Sequence, residues 1–105
     1  MTRSIITNYE DISAFSGRPT ECKHHCCFGS GIRPLADEDG LWIPLTHAEH
    51  NMGMPTECIH GNPAAENLSK MVGQLAWEKH YIATTGCPEF EAREAFRKRY
   101  SQSFI

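Results

Sequence analysis

Between Cys22 and Asn62 the chain carries five of its six histidines and four of its five cysteines. No other feature constrains the fold as strongly. Imidazoles this concentrated are either scattered over a surface or gathered by the fold around something they bind. They fall as His24-His25, then His47 and His50 after the apolar run Leu41-Trp42-Ile43-Pro44-Leu45, then His60 in Ile59-His60-Gly61-Asn62. Neutral imidazole is the commonest metal ligand, and its ordinary pKa lies nearest pH 7, so the pattern points to metal-assisted chemistry.

A chain of 105 residues suits one domain with one modest core. The net charge of -3 gives no general attraction to nucleic acid, so that reading has to rest on local charge. Arg93, Arg97, Lys98 and Arg99 crowd the last helical segment, while Asp37-Glu38-Asp39 lies mid-chain. Arg33, Arg97, Lys98 and Arg99 are the residues expected to meet a nucleic-acid backbone; the alternative is an ordinary solvated helix face. No apolar run approaches the roughly 20 residues of a membrane span, and the stretch from Met1 to Ile6 is too short for a secretory apolar region. The expectation is a soluble, cytoplasmic protein with no membrane partner. Five unevenly spaced cysteines read as free thiols or ligands rather than as a disulfide framework.

Residues 1–20 read as an extended lead-in or short edge strand ended by Gly17-Arg18-Pro19, and residues 21–105 as the domain proper. Cys22 to Phe28 forms a first strand, closed by Gly29-Ser30-Gly31. Ile32 to Gly40 is a polar connection, and Asp39-Gly40 is a turn signal that makes Leu41 to Leu45 the second strand of a hairpin, with Pro44 confining it to an edge. Thr46 caps a short helical segment that places His47 and His50 on one face, and Met52-Gly53-Met54-Pro55 breaks it. Asn62-Pro63 starts a helix expected to run to about Tyr81, with Leu68, Met71, Val72, Leu75, Ala76 and Ile82 as its buried stripe. A last helix from about Cys87-Pro88 buries Ala92, Ala95, Phe96 and Tyr100, with Phe104 tucked against the body.

This succession resembles the ββα-metal motif of HNH endonucleases, and more closely the small HNH-type proteins of bacterial prophages. The motifs that carry the resemblance are His24-His25-Cys26-Cys27-Phe28-Gly29, Gly40-Leu41-Trp42-Ile43-Pro44-Leu45-Thr46 through His50, Ile59-His60-Gly61-Asn62, and Gly73-Gln74-Leu75-Ala76-Trp77-Glu78-Lys79-His80-Tyr81. They span about residues 22–100. The implied fold class is α+β: a small ββα-metal finger with a β-hairpin followed by two C-terminal helices.

The resemblance implies a metal-dependent DNA endonuclease or nickase, encoded by a bacterium or phage, that acts alone, as a homodimer or with a phage protein partner. His25 matches the general base, and His24, His50 and His60 the ligands of one divalent ion (zinc, magnesium, manganese or nickel). The chain departs from its relatives where they carry paired cysteines, having Thr46 and Glu49 instead. Cys22, Cys26 and His47, with His50, supply the atoms for an alternative, purely structural zinc site. Two further functions stand beside the endonuclease: a non-catalytic, zinc-stabilised nucleic-acid-binding module in which the same residues hold the hairpin to the helix, and an accessory protein that has kept the scaffold without the chemistry, which the missing cysteine pairs and the acidic total favour.

Overall fold

A computed structural model describes residues 2–54 and 57–105. Its elements are β1 (Cys22–His25), α1 (Arg33–Asp39), β2 (Trp42–Leu45), one π-helical turn (Ala48–Met52), α2 (Pro63–Thr85) and α3 (Glu89–Tyr100). The architecture is α+β, an antiparallel strand pair followed by helices. Among the described residues, no helix is long and apolar enough to cross a membrane.

β1 and β2 pair with Cys22 opposite Leu45, Lys23 opposite Pro44, His24 opposite Ile43 and His25 opposite Trp42. With only two strands both are edges, which accommodates a proline that cannot donate to a ladder. Every residue of β2 is nevertheless buried, because the N-terminal segment covers its outer side. Ile5 N–H donates to Gly40 O at 3.0 Å, Ser4 Oγ to Trp42 O at 2.7 Å, and Ala14 N–H to Pro44 O at 2.9 Å. In residues 2–20 the only pairing is one isolated bridge between Ile12 and Pro19, outside any named strand.

The connection between the strands differs from the expected hairpin turn. Residues 33–39 are helical, and Gly40 ends that helix rather than opening a tight turn. Gly40 sits at φ 74°, its N–H reaches Asp37 O at 3.3 Å, and Leu41 N–H reaches Ala36 O at 2.8 Å, the paired bonds of a Schellman ending. Asp-Gly signals a positive φ in either setting, so its local chemistry does not tell a turn from a helix end. The site also excludes a side chain: a Cβ on Gly40 would lie 2.3 Å from Arg3 O.

α2 begins as its cap predicts, with Asn62 Oδ1 accepting from Ala65 N–H at 3.2 Å and Pro63 in the first turn. It runs past Tyr81 to Thr85, where Gly86 closes it at φ 73°. Its buried face matches the expected stripe only in part: Ala76 packs against the core, and Met71 and Ile82 are half-buried. Leu68 and Leu75 are 59 % and 55 % exposed and Val72 is also exposed, whereas Ser69, Gly73, Gln74 and Glu78 point inward. Those inward neighbours are polar or very close: a histidine at Ser69, the Cys26-Cys27 backbone and thiols at Gly73, the C-terminal tail at Gln74 and Arg93 at Glu78. α3 packs on α2 through Ala92, Phe96 and Tyr100, with Ala95 half-buried. Phe104 folds back to 6.1 Å from the Phe96 ring, and its N–H donates to Gln74 Oε1.

The core has two parts, and neighbouring cysteines enter one each. Cys27 joins Ile32, Ala36, Leu41, Phe96 and Tyr100; Cys26 joins Ile43, Leu45 and Ile59. Asp39 ties the helices together, accepting from Arg99 Nε at 2.7 Å, Arg99 Nη2 at 2.8 Å, Tyr100 Oη at 2.6 Å and Trp77 Nε1 at 3.0 Å.

Candidate metal centre

Successive residues of a strand face opposite sides, so His24 and His25 part company at the backbone. His24 turns inward and is fully buried. Its Nε2 lies 2.7 Å from Ser69 Oγ, and Ser69 Oγ donates to Cys26 O at 2.9 Å. A serine has one hydroxyl proton, and here it is spent on that carbonyl, so Oγ accepts from His24 Nε2–H. The Nδ1 of His24 is then left as a bare lone pair. It has no hydrogen-bond partner, and it is the one buried side-chain nitrogen or oxygen among the described residues of which this is true.

Two more imidazoles stand beside it. His50 comes from the π-helical turn, held at its start by a reciprocal capping box: Thr46 N–H donates to Glu49 Oε1 at 3.0 Å and Glu49 N–H to Thr46 Oγ1 at 3.3 Å. Burial pushes the Glu49 carboxyl up, but hydrogen bonds from Ser13, the Thr46 N–H and other hydroxyls outweigh it and hold the group at about 2. Pro55, the last residue of the expected helix break, lies outside the described residues; Gly53 N–H closes the turn onto Ala48 O at 3.0 Å. The loop before α2 then returns alongside, His60 N–H donating to His50 O at 2.9 Å and Ile59 N–H to Glu49 O at 2.8 Å. His60 Nδ1 lies 3.0 Å from Glu66 Oε2, an acceptor, so the proton sits on Nδ1 and Nε2 is free.

The rings of His24, His50 and His60 are separated by 5.2, 5.1 and 4.8 Å between centroids, and one ligand nitrogen from each lies within 4.8 Å of the others. Phe28 packs edge-on against His60 and His24, at 4.8 and 5.7 Å. Burial, and then the neighbouring His60, His50 and His25, lowers the His24 pKa to about 3. Burial first, then His60, His47, Arg33 and His25, lowers that of His50. Both therefore present lone pairs at neutral pH.

His25 faces an open groove of about 750 Å³ whose lining also includes Lys23, Arg33, Asp37, His47 and His50. It is outside the triangle, but the groove it faces is bordered by His50. Its Nε2 is 2.9 Å from Asp37 Oδ1, and Arg33 Nε donates toward its Nδ1 at 3.4 Å. The hydrogen bond from His25 holds the Asp37 carboxyl below its ordinary range.

The alternative structural set is not brought together. Cys22, His47 and His50 line one groove, but Cys26 points into the core, where burial pushes its thiol up to about 12, and Cys22 Sγ turns to the carbonyls of Leu45 and Thr46. The four basic residues also divide. Arg33 lines the groove, Lys98 is exposed, Arg97 pairs with Glu94 at 2.8 Å, and Arg99 is committed to Asp39 as a clamp between helices. Sequence reasoning missed Ser69 and Glu66, whose three-residue spacing on the first turns of α2 aims both at histidines, and it missed Asp37. Neither a family model nor a curated protein nor a solved structure matches this chain, so the chemistry of the centre rests on these residues.

Proposed function

We propose that the protein is a metal-dependent endonuclease or nickase of the HNH type, hydrolysing DNA phosphodiester bonds with His25 as general base and one divalent ion among His24, His50 and His60. The observation that carries this reading is the orphaned Nδ1 of His24. A buried polar atom without a partner costs about 1–3 kcal/mol, so a fold that keeps one on a ring grouped with two further imidazoles is suited to a ligand there. The other nitrogens support the same reading, since Ser69 and Glu66 fix His24 and His60 in the tautomers that leave ligand atoms free, as outer partners of metal-bound histidines do.

Three imidazole nitrogens suit zinc or nickel better than magnesium, which seeks oxygen. An ion held by His24, His50 and His60 would supply positive charge toward the scissile phosphate and the departing oxygen. The chain's own part is to hold His25 at the groove beside His50, with Arg33 and Lys23 in the same lining. The strand pair followed by α2, with histidines from β1 and from the segment between, agrees with a ββα-metal finger.

Purified protein should nick supercoiled plasmid with zinc, nickel, manganese or magnesium, and His25→Ala should abolish cleavage while the melting temperature stays unchanged. A wild type that cuts DNA with none of these ions contradicts the reading. The depth of His24 favours one alternative, a zinc-stabilised binding module; there, chelation would unfold the domain, with no cleavage to lose.

A further inference from the structure

Helix α1 places Arg33 and Asp37 four residues apart, on one face, and that face meets a single ring. Asp37 takes one nitrogen of His25 and Arg33 takes the other, at 2.9 and 3.4 Å. The two contacts are not equivalent. A carboxylate oxygen only accepts, so Nε2 carries the proton; a guanidinium only donates, so Nδ1 carries the lone pair. Both neighbours thus specify the same tautomer. The His25 side chain is 10 % exposed and that of Asp37 49 %, so the ring is sheltered while its carboxylate partner stays wet.

We propose that Asp37 is the positioning residue of the general base, holding His25 with its proton on Nε2 so that Nδ1 faces the attacking water, and that Arg33 covers Nδ1 at rest and passes to the phosphate when a diester enters the groove. The inference rests on the nuclease reading above. In the step it serves, a water proton moves to His25 Nδ1 while the water oxygen bonds to phosphorus. The opposite P–O bond breaks, its electron pair stays on the departing oxygen, and that oxygen takes a proton from solvent. His25 becomes an imidazolium whose Nε2–H already points at an anionic carboxylate, so the charge is stabilised where it forms. The guanidinium meanwhile exchanges a long contact with a neutral ring for a charge-assisted one with phosphate, which is the stronger bond.

The test reads the ring and the reaction separately. In ¹⁵N-labelled wild type at pH 8, long-range proton–nitrogen spectra should show His25 as the Nε2–H tautomer. Because Arg33 specifies the same tautomer, a mixture should appear in the double variant Asp37→Ala/Arg33→Ala, whereas Asp37→Asn/Arg33→Ala, whose amide oxygen still accepts, should retain Nε2–H. On plasmid DNA, kcat should fall about 100-fold for Asp37→Ala and about tenfold for Asp37→Asn, with KM unchanged. Arg33→Ala should instead raise KM several-fold and leave the tautomer alone. An Nδ1–H tautomer in wild type, an unchanged tautomer in the double variant Asp37→Ala/Arg33→Ala, or an Arg33→Ala effect confined to kcat would overturn the assignment. A wild type with the expected tautomer that cuts no diester removes the nuclease reading itself and leaves Asp37 a structural partner.

Discussion

Gln74 and His24 are both fully buried polar side chains, one at the helical end of the molecule and one at the strand end, and they are treated differently. Gln74 accepts from Phe104 N–H at 2.6 Å and donates to Ser103 Oγ at 2.9 Å and Glu78 Oε2 at 2.8 Å, while Glu78 is paired in turn with Arg93 at 2.7 Å. That network is complete and holds the C-terminal tail on α2. His24 makes one hydrogen bond and leaves its second nitrogen bare. The helical end is built for stability alone, whereas the strand end keeps an atom in reserve.

The contrast breaks if removing the two side chains costs the same in metal-free protein. Gln74→Leu strands the Phe104 N–H and takes one donor each from Ser103 Oγ and Glu78, and should cost about 3 kcal/mol in urea unfolding.

Acidification should strike the histidine end before the helical end. His24 titrates near 6.5 when unfolded and at about 3 when folded, so between those values the unfolded chain takes up a proton that the folded chain refuses. Stability is therefore full above pH 6.5 and falls as pH drops, by about 2 kcal/mol between pH 6.5 and 4.5, with the lowered pKa of His50 acting in the same direction. Glu49, depressed from 4.5 to about 2, adds its loss only below that window. A urea series across pH should show this slope in wild type and a flatter one in His24→Leu.

Gly73→Ala sharpens the comparison from the middle of α2, between Ser69 and Gln74. Its Cβ would lie 2.7 Å from Cys27 Sγ and 3.1 Å from Cys26 Cβ, where the two halves of the core meet. A cost of about 2 kcal/mol is expected, seen as a lower thermal midpoint. The smallest effect belongs to His24→Leu. It removes an unsatisfied atom together with one hydrogen bond, so metal-free stability should change by less than about 1 kcal/mol.

What the sequence made legible follows from local chemistry. Asn62-Pro63 announces the start of α2 because cap and first-turn proline are both local, and the Ala92, Phe96 and Tyr100 face of α3 follows from helical spacing. The three histidines that the resemblance names as ligands stand together in space. Helix α1 was not legible, since seven residues carry too little periodicity and Asp39-Gly40 imitates a hairpin turn. In α2 the helical period was legible and its phase only in part, with Ala76 on the core side and Met71 and Ile82 half-buried. Ser69, Gly73, Gln74 and Glu78 face inward for partners that lie far away in sequence, so apolar residues such as Leu68 and Leu75 mark the wrong side. Asp37 was hidden for the same reason, its role depending on a helix that brings it to His25.

The most direct test is metal stoichiometry. Wild type, His24→Leu and His47→Ala would be dialysed to equilibrium against zinc, passed through a desalting column and analysed for metal per chain. One ion in wild type and in His47→Ala, with none in His24→Leu, is the predicted result. No ion in wild type, or as much in His24→Leu as in wild type, would contradict a centre built on the buried nitrogen of His24.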